Sequence, residues 1–347
     1  MTEAAPLSPA YPTGPIPVYG HRWAVDLLRR QMAQGKVAHA YLLTGPSQIG
    51  RGTLARWLAQ ALLCEEVRPP CGVCPACRRV AAEVHPDLHR LHLDLQEGGR
   101  RTLGIEAVRE MRQGIAERPF YGRRKVYLIE DAECMTIEAE NALLKTLEEP
   151  PPFVVLLLVA LSDHLLLPTI VSRCQVLSLR PLSRQEVRQA LVEHWGASEE
   201  QAGLLAALSQ GRLGWAVQAL NDPQVLQKRQ EYLAALHRLL SAGLLERFAF
   251  AEAQERLWRH GRAALVLEML QCWQGWWRDL FLWTRGCADL VVHRDQLEAL
   301  EKAGRQVSSQ AALAFLRALR TAQERLQEQV NPRLAFEELL LQLPVVV

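Results

Sequence analysis

Four cysteines fall within fourteen residues, as Cys64-x6-Cys71-x2-Cys74-x2-Cys77, directly behind a segment that reads strand, glycine loop, helix. Thiolates at x2 spacing can be brought to one ion by a tight turn, and a structural zinc takes four ligands in a closed tetrahedron. Pro69-Pro70, Gly72 and Pro75 supply the turns such a knuckle needs. Two disulfides, or four inert buried thiols, are the competing readings. The Pro-rich start, residues 1–17, carries no apolar signal segment, so a reducing, cytoplasmic setting is expected, and that favours Zn²⁺. With all four positions filled by protein, the ion would be structural and not catalytic. Cys134, Cys174, Cys272 and Cys287 are scattered and read as packed or incidental side chains.

Upstream, the apolar run Ala40 to Leu43 enters Gly45-Pro-Ser-Gln-Ile-Gly50-Arg51-Gly52-Thr53, and helical spacing follows at Leu54, Trp57, Leu58, Ala61 and Leu62. That is the frame of a phosphate-binding loop. In a working loop of this kind the backbone N–H groups wrap the phosphates, a Lys reaches the outer ones, and the next Ser or Thr ligates Mg²⁺. Here Arg51 stands at the Lys position and Gly52 at the hydroxyl position. A guanidinium is a planar fork where an ammonium is a point charge, and Gly52 has nothing to hold a metal. Thr53 would substitute only after a shift of register. Gly45, Gly50, Arg51 and Thr53 are therefore the candidate phosphate-side residues of a loop expected to keep its shape without hydrolysis. ATP binding by the chain is doubtful, although a glycine backbone can still cradle a phosphate.

Downstream, Glu130-Asp131 follows the apolar run Lys125 to Ile129, where carboxylates beside a phosphate loop ordinarily hold Mg²⁺ and orient water. With Gly52 unable to help, the competing reading is that Glu130 and Asp131 cap the next helix or pair with basic neighbours.

The chain has 347 residues, enough for two or three domains, and 40 Lys plus Arg against 38 Asp plus Glu leave a net charge of +2. So near-neutral a balance excludes an obligate polybasic nucleic-acid binder. The longest apolar run, Phe153 to Leu161, is too short to span a bilayer, so no membrane partner is expected. Residues 18–179 alternate short apolar runs with helical patterns, which predicts an α/β fold with a parallel sheet. Strands are expected at Ala40 to Leu43, His89 to Leu93, Lys125 to Ile129, Phe153 to Val159 and Gln175 to Leu179. Residues 180–222 read as a small helical domain. Residues 223–347 read as all-helical apart from a short Val345 to Val347 run.

The stretch Asn141-Ala-Leu-Leu-Lys-Thr-Leu-Glu-Glu149-Pro150-Pro151, then an apolar strand, then Ser172-Arg173-Cys174, resembles the bacterial clamp-loader family of AAA+ proteins. Val37-Ala-His39-Ala-Tyr41 ahead of Gly45-Pro46, the cysteine insert ahead of His85-Pro86-Asp87, and Asn331-Pro-Arg-Leu-Ala-Phe-Glu337 agree with it, so that the resemblance covers nearly the whole chain. It implies an AAA+ P-loop-type domain with a zinc module, then a helical lid domain and a helical collar that packs subunits into a ring. It also implies a role for Arg173: an arginine finger projecting into the ATP site of a neighbouring subunit, where a guanidinium spreads charge over the γ-phosphate. The competing reading of Arg173 is a structural bond to a loop carbonyl or carboxylate. The motor subunits of the family carry Gly-Lys-Thr and a second-domain arginine; this chain has Arg51-Gly52, and Gly214 stands where that arginine would lie, with Arg212 offset.

The resemblance thus implies a non-catalytic subunit of the DNA polymerase III clamp loader, with partners in the ATPase motor and clamp-opening subunits, the sliding clamp and primer-template DNA. An active ATPase motor of the same fold is the alternative, and a free zinc nucleic-acid binder a weaker one. Trp273, Trp276, Trp277, Leu280, Phe281 and Trp283 fall at helical spacing and read as core before binding surface. Arg100-Arg101 and Arg123-Arg124-Lys125 are basic clusters of the size usually solvated, with no aromatic interleaving seen.

Overall fold

Lys125–Ile129 and Val154–Ala160 are strands buried along their whole length, which is why they read as unbroken apolar runs. A computed structural model describes residues 15–91, 93–95, 101–260, 262–327 and 331–346. The chain divides into two compact units, the first comprising residues up to Leu95, Arg101–Ser198 and Ser209–Trp215, the second Glu199–Leu208 and Ala216–Val347.

In the first unit, the strands are β1 (Ala40–Thr44), β2 (Leu88–Leu91), β3 (Asp94–Leu95), β4 (Arg101–Thr102), β5 (Lys125–Ile129), β6 (Val154–Ala160) and β7 (Gln175–Ser178). The helices are α1 (Arg22–Ala33), α2 (Arg51–Leu63), α3 (Pro75–Ala81), α4 (Ile105–Ile115), α5 (Ile137–Glu148), α6 (Pro168–Val171) and α7 (Arg184–Trp195). Five strands form one parallel sheet in the order β2-β5-β6-β1-β7, so β1 lies between β6 and β7 at the point where the chain order reverses. Loops at the carboxyl ends of strands at such a reversal are where ligands of open α/β sheets bind. Alternate residues along each strand feed two cores: Tyr41, Leu43, Val126 and Leu157 pack with Leu54, Trp57 and Leu58 of α2, whereas Ala40, Leu42, Tyr127 and Leu156 pack with Met111 of α4 and Leu143 of α5. The short antiparallel pair β3-β4 was not anticipated.

The remaining helices are α8 (Glu199–Leu208), α9 (Leu213–Asn221), α10 (Pro223–Ser241), α11 (Leu244–Arg259), α12 (Ala263–Thr284), α13 (Leu297–Gly304), α14 (Ser309–Gln327) and α15 (Pro332–Leu341). The first residues of α9, up to Trp215, belong to the first unit and the rest to the second. Asp222 caps α10, accepting from the Gln224 N–H at 2.9 Å, and Asn331 caps α15 from Arg333 at 3.0 Å; in both a proline follows at the first helical position. The second unit's core holds Trp273, Trp276 and Trp277, all fully buried, with the Trp277 and Phe315 rings 4.6 Å apart between centroids. Fully buried Asp279 accepts from the backbone N–H of Val292 and His293 and from His293 Nδ1 at 2.7–2.8 Å, and so fixes the irregular segment after α12.

Two expectations need correction. Val345 and Val346 form no strand: the Val346 N–H makes one bond, to the Leu240 carbonyl at 2.9 Å, and one bond is no ladder. The Arg123-Arg124-Lys125 cluster is not a solvated basic patch, because Lys125 is buried with its Nζ donating to the Gly114 carbonyl at 2.9 Å and burial lowers the pKa of half-buried Arg124. Arg100 lies outside the described residues.

Candidate functional site

Gly45 opens the loop after β1 at φ 140°, where a Cβ would lie 2.5 Å from the Leu179 carbonyl oxygen; only glycine fits that close approach. Gln48 at φ 61° and Gly50 at φ 104° complete the turn into α2, and buried His21 holds it from below through Nε2 against the Ile49 carbonyl at 2.9 Å.

The charge inside this loop is arranged inward. Arg51 is only 8% exposed, and its Nη1 has no hydrogen-bond partner among the described residues. Burial lowers its pKa, against the opposing pull of Glu133 and Asp131. Burial likewise pushes the Glu133 carboxyl up, while its Oε1 accepts from the Leu161 N–H at 3.3 Å. Beside Arg51, a Cβ on Gly52 would stand 3.1 Å from Glu130 Oε1, so the Glu130 carboxylate lies against the place where a metal-binding hydroxyl would begin. Glu130 is itself paired with Arg90, which also bridges to Glu83. Glu130 thus has a basic neighbour in Arg90, while Asp131, at φ 52°, starts the following 3-10 turn without a side-chain cap. Thr53 lies in the first turn of α2, partly buried.

Gly214 seats directly on this loop. Its N–H donates to the Gln48 carbonyl at 2.8 Å, and a Cβ there would lie 2.8 Å from that same oxygen. At Gly214 this chain places bare backbone against backbone.

The four cysteines converge. Their sulfurs lie within 4.8 Å of one another, with Cys64–Cys74 at 4.0 Å and Cys71–Cys77 at 3.9 Å. Four sulfurs held ~2.3 Å from one ion in a tetrahedron stand about 3.8 Å apart. A disulfide needs about 2.05 Å, and all four thiols are free, so the spacing is that of a metal site. The Cys74 N–H donates to Cys71 Sγ at 3.3 Å and the Cys77 N–H to Cys74 Sγ at 3.4 Å, the second of these capping α3. Such donors favour thiolate: at Cys71 burial acts the other way, but the N–H groups of Cys74 and Val73 outweigh it and bring the thiol down to about 7. Fully buried Gln60 of α2 joins the knuckle to the domain, donating through Nε2 to the Cys77 carbonyl at 3.1 Å and accepting the Ile16 N–H at 2.8 Å. The donor set fits a zinc ion.

Arg173 follows α6 and is partly exposed. Nη1 donates to the Thr169 carbonyl at 2.9 Å, and Nη2 to Glu148 Oε1 at 2.8 Å. The structure thus brings Glu130-Asp131 against the phosphate loop, with the cysteines and Arg173 elsewhere on the same α/β unit. Of the other thiols, Cys174 is pushed up to about 12 by burial, and Cys287 is exposed.

Several residues escaped sequence reasoning. Glu133, Gln60 and Arg90 are ordinary polar residues whose roles depend on where turns bring them. Asp87 was visible only as part of His85-Pro86-Asp87, yet its carboxylate accepts three backbone N–H groups, from Phe120, Tyr121 and Gly122 at 2.6, 2.9 and 3.3 Å. The loop it holds carries Phe120, 78% exposed, and Tyr121 under the Arg79 guanidinium, so Arg118 and Arg123 do flank aromatics here.

A family model described as "DNA polymerase III, delta subunit" matches residues 20–183, and one described as "DNA polymerase III, delta subunit, C terminal" matches residues 223–344. DNA polymerase III subunit delta' of Pseudomonas aeruginosa is 42% identical over 156 residues, 44% of this chain and 46% of that protein, so this alignment spans about half of each. The Bacillus subtilis subunit delta' is 27% identical with 92% of this chain and 94% of that protein covered, and the Escherichia coli subunit delta' is 34% identical with 68% and 71% covered. Among solved structures, a DNA polymerase III gamma subunit-related protein from Thermotoga maritima aligns over 91% of this chain and 97% of its own at 22% identity, with a TM-score of 0.41. Two family models across both units, together with a 34% identical relative covered over more than two thirds of its length, place the chain in the family of DNA polymerase III delta' subunits.

Proposed function

We propose that this chain is a clamp-loader subunit of the DNA polymerase III holoenzyme that hydrolyses no ATP itself. It helps place the sliding clamp on primed DNA by lending Arg173 to the ATP site of an adjacent motor subunit. The observation that carries the first half is the closed loop: Glu130 lies 3.1 Å from the missing Cβ of Gly52, buried Arg51 sits in the field of Glu133 and Asp131, and Gly214 is bonded to Gln48. Productive hydrolysis needs a hydroxyl on the metal and a cation on the outer phosphates. Gly52 offers no hydroxyl, and the cation at the Lys position, Arg51, is buried beside Glu133 and Asp131. A guanidinium supplied in trans couples hydrolysis to assembly, which suits a chain whose own loop is closed.

In this reading the four thiolates of Cys64, Cys71, Cys74 and Cys77 hold a structural zinc, residues 18–179 form the AAA+ domain, 180–222 its lid, and the helices after residue 223 join the collar of the ring. The partners are the motor and clamp-opening subunits, the clamp, and primer-template DNA within the assembly. The test is turnover by the purified chain with ATP, Mg²⁺ and primed DNA. We expect none above background, and Arg51→Ala to change nothing. Turnover that Arg51→Ala abolishes would instead mean an active motor of the same fold.

A further inference from the structure

The arrangement around Arg173 has a second member, Glu148, which lies within the Asn141–Pro151 stretch and has been given no role so far. Nη2 of Arg173 donates to Glu148 Oε1 at 2.8 Å and Nη1 to the Thr169 carbonyl at 2.9 Å. Glu148 is the last residue of α5, on an element separate from the α6 turn that carries Arg173. Its carboxylate is the only acidic partner of that guanidinium among the described contacts. A carboxylate offers an arginine what a phosphate offers it, a planar or near-planar pair of anionic oxygens. The side chains of Arg173 and Glu148 are 35% and 49% exposed, so the pair is solvated and screened, and worth little by itself. A polyphosphate with several negative charges outcompetes it.

We propose that Glu148 is a parking site for Arg173: it neutralises the guanidinium while no phosphate is presented, and releases it when a neighbouring nucleotide arrives. The inference rests on the reading of Arg173 as a finger acting in trans. Both bonds lie on the two terminal nitrogens, so the guanidinium cannot deliver that edge to a phosphate without leaving Glu148. Parking therefore sets a small barrier to engagement, and it is specific to the charge on Glu148. The Thr169 carbonyl, a neutral acceptor four residues before Arg173, is the second contact of the parked guanidinium.

The experiment is steady-state ATP hydrolysis by the reconstituted loader, with motor and clamp-opening subunits and primed DNA, using wild-type chain, Glu148→Gln, Arg173→Ala and the double variant. Glutamine keeps the shape and removes the charge. The expected result is a rise in kcat/KM of about two- to five-fold for Glu148→Gln, the range a half-exposed ion pair spans, and no difference between Arg173→Ala and the double variant. A fall in kcat/KM for Glu148→Gln would make Glu148 a positioning group that must stay in contact, and no change would make the pair incidental; either overturns parking. If Arg173→Ala leaves hydrolysis at the wild-type rate, the finger reading itself fails, and that result is distinct from the others. Because both residues are exposed, Glu148→Gln is expected to melt with the wild type, which separates a change in rate from a loss of fold.

Discussion

Gly214 meets the phosphate loop at a distance that admits no side chain. A Cβ at 2.8 Å from the Gln48 carbonyl oxygen faces backbone, which cannot swing away as a flexible side chain would. Gly214→Ala is therefore expected to cost about 1–3 kcal/mol, read as a lower midpoint in urea unfolding; an unchanged midpoint would mean the loop and α9 are not seated as described. Asp87 is the second residue of this kind. Burial alone would raise its pKa, but the N–H groups of Phe120, Tyr121 and Gly122 outweigh burial and lower it. A carboxylate lowered on folding stabilises fully above its unfolded pKa of about 3.9, and that contribution drains as pH falls towards the native value. Asp87→Asn should remove most of this acid dependence and cost about 1–3 kcal/mol at neutral pH; identical acid-unfolding curves for variant and wild type would contradict it. At this scale the sequence was informative about identity and silent about direction. That Arg51 and Gly52 replace Lys and a hydroxyl is plain from the letters, but that Arg51 lies among Glu133 and Asp131 follows from a 3-10 turn no spacing announces.

Elements built on strong periodicity were legible, and those built on single bonds were not. The strands after residues 39, 124 and 153 lie where apolar runs put them, because a strand buried on both faces cannot be anything else over that length. The tryptophans of α12 pack as core, as helical spacing suggests, with Trp273 Nε1 donating to the Tyr232 carbonyl at 2.8 Å. The two-residue rungs β3 and β4 are too short to leave a pattern. Val345 and Val346 misled because apolar residues with β propensity have no partner strand among the described residues, and Val347 lies outside them. The convergence of the four cysteines was legible, since x2 spacing with turn residues leaves few geometries. Its energetic consequence is testable: about one zinc per chain by metal analysis, and loss of structure around α3 on strong chelation, followed by hydrogen exchange at residues 64–82. A metal-free preparation that protects those amides equally would remove zinc from the account.

Across the whole molecule the net charge is +2, and no helix among the described residues is long and apolar enough to cross a membrane. The family membership accounts for a nucleotide-binding frame around a loop that lacks the Lys and the hydroxyl, and in the proposed function that frame serves to present Arg173 from the turn after α6. In the proposed ring, which surface meets which subunit is not legible in the sequence, because an interface is specified by a pair of faces and one chain shows only one of each pair. The central claim is that this chain acts on a neighbour's ATP through Arg173. The most direct measurement is the rate of ATP hydrolysis by the reconstituted loader on primed DNA, with Arg173→Ala compared with wild type in complexes shown by gel filtration to be equally assembled. The account predicts an intact complex whose hydrolysis falls about tenfold or more. An intact complex hydrolysing at the wild-type rate would contradict it.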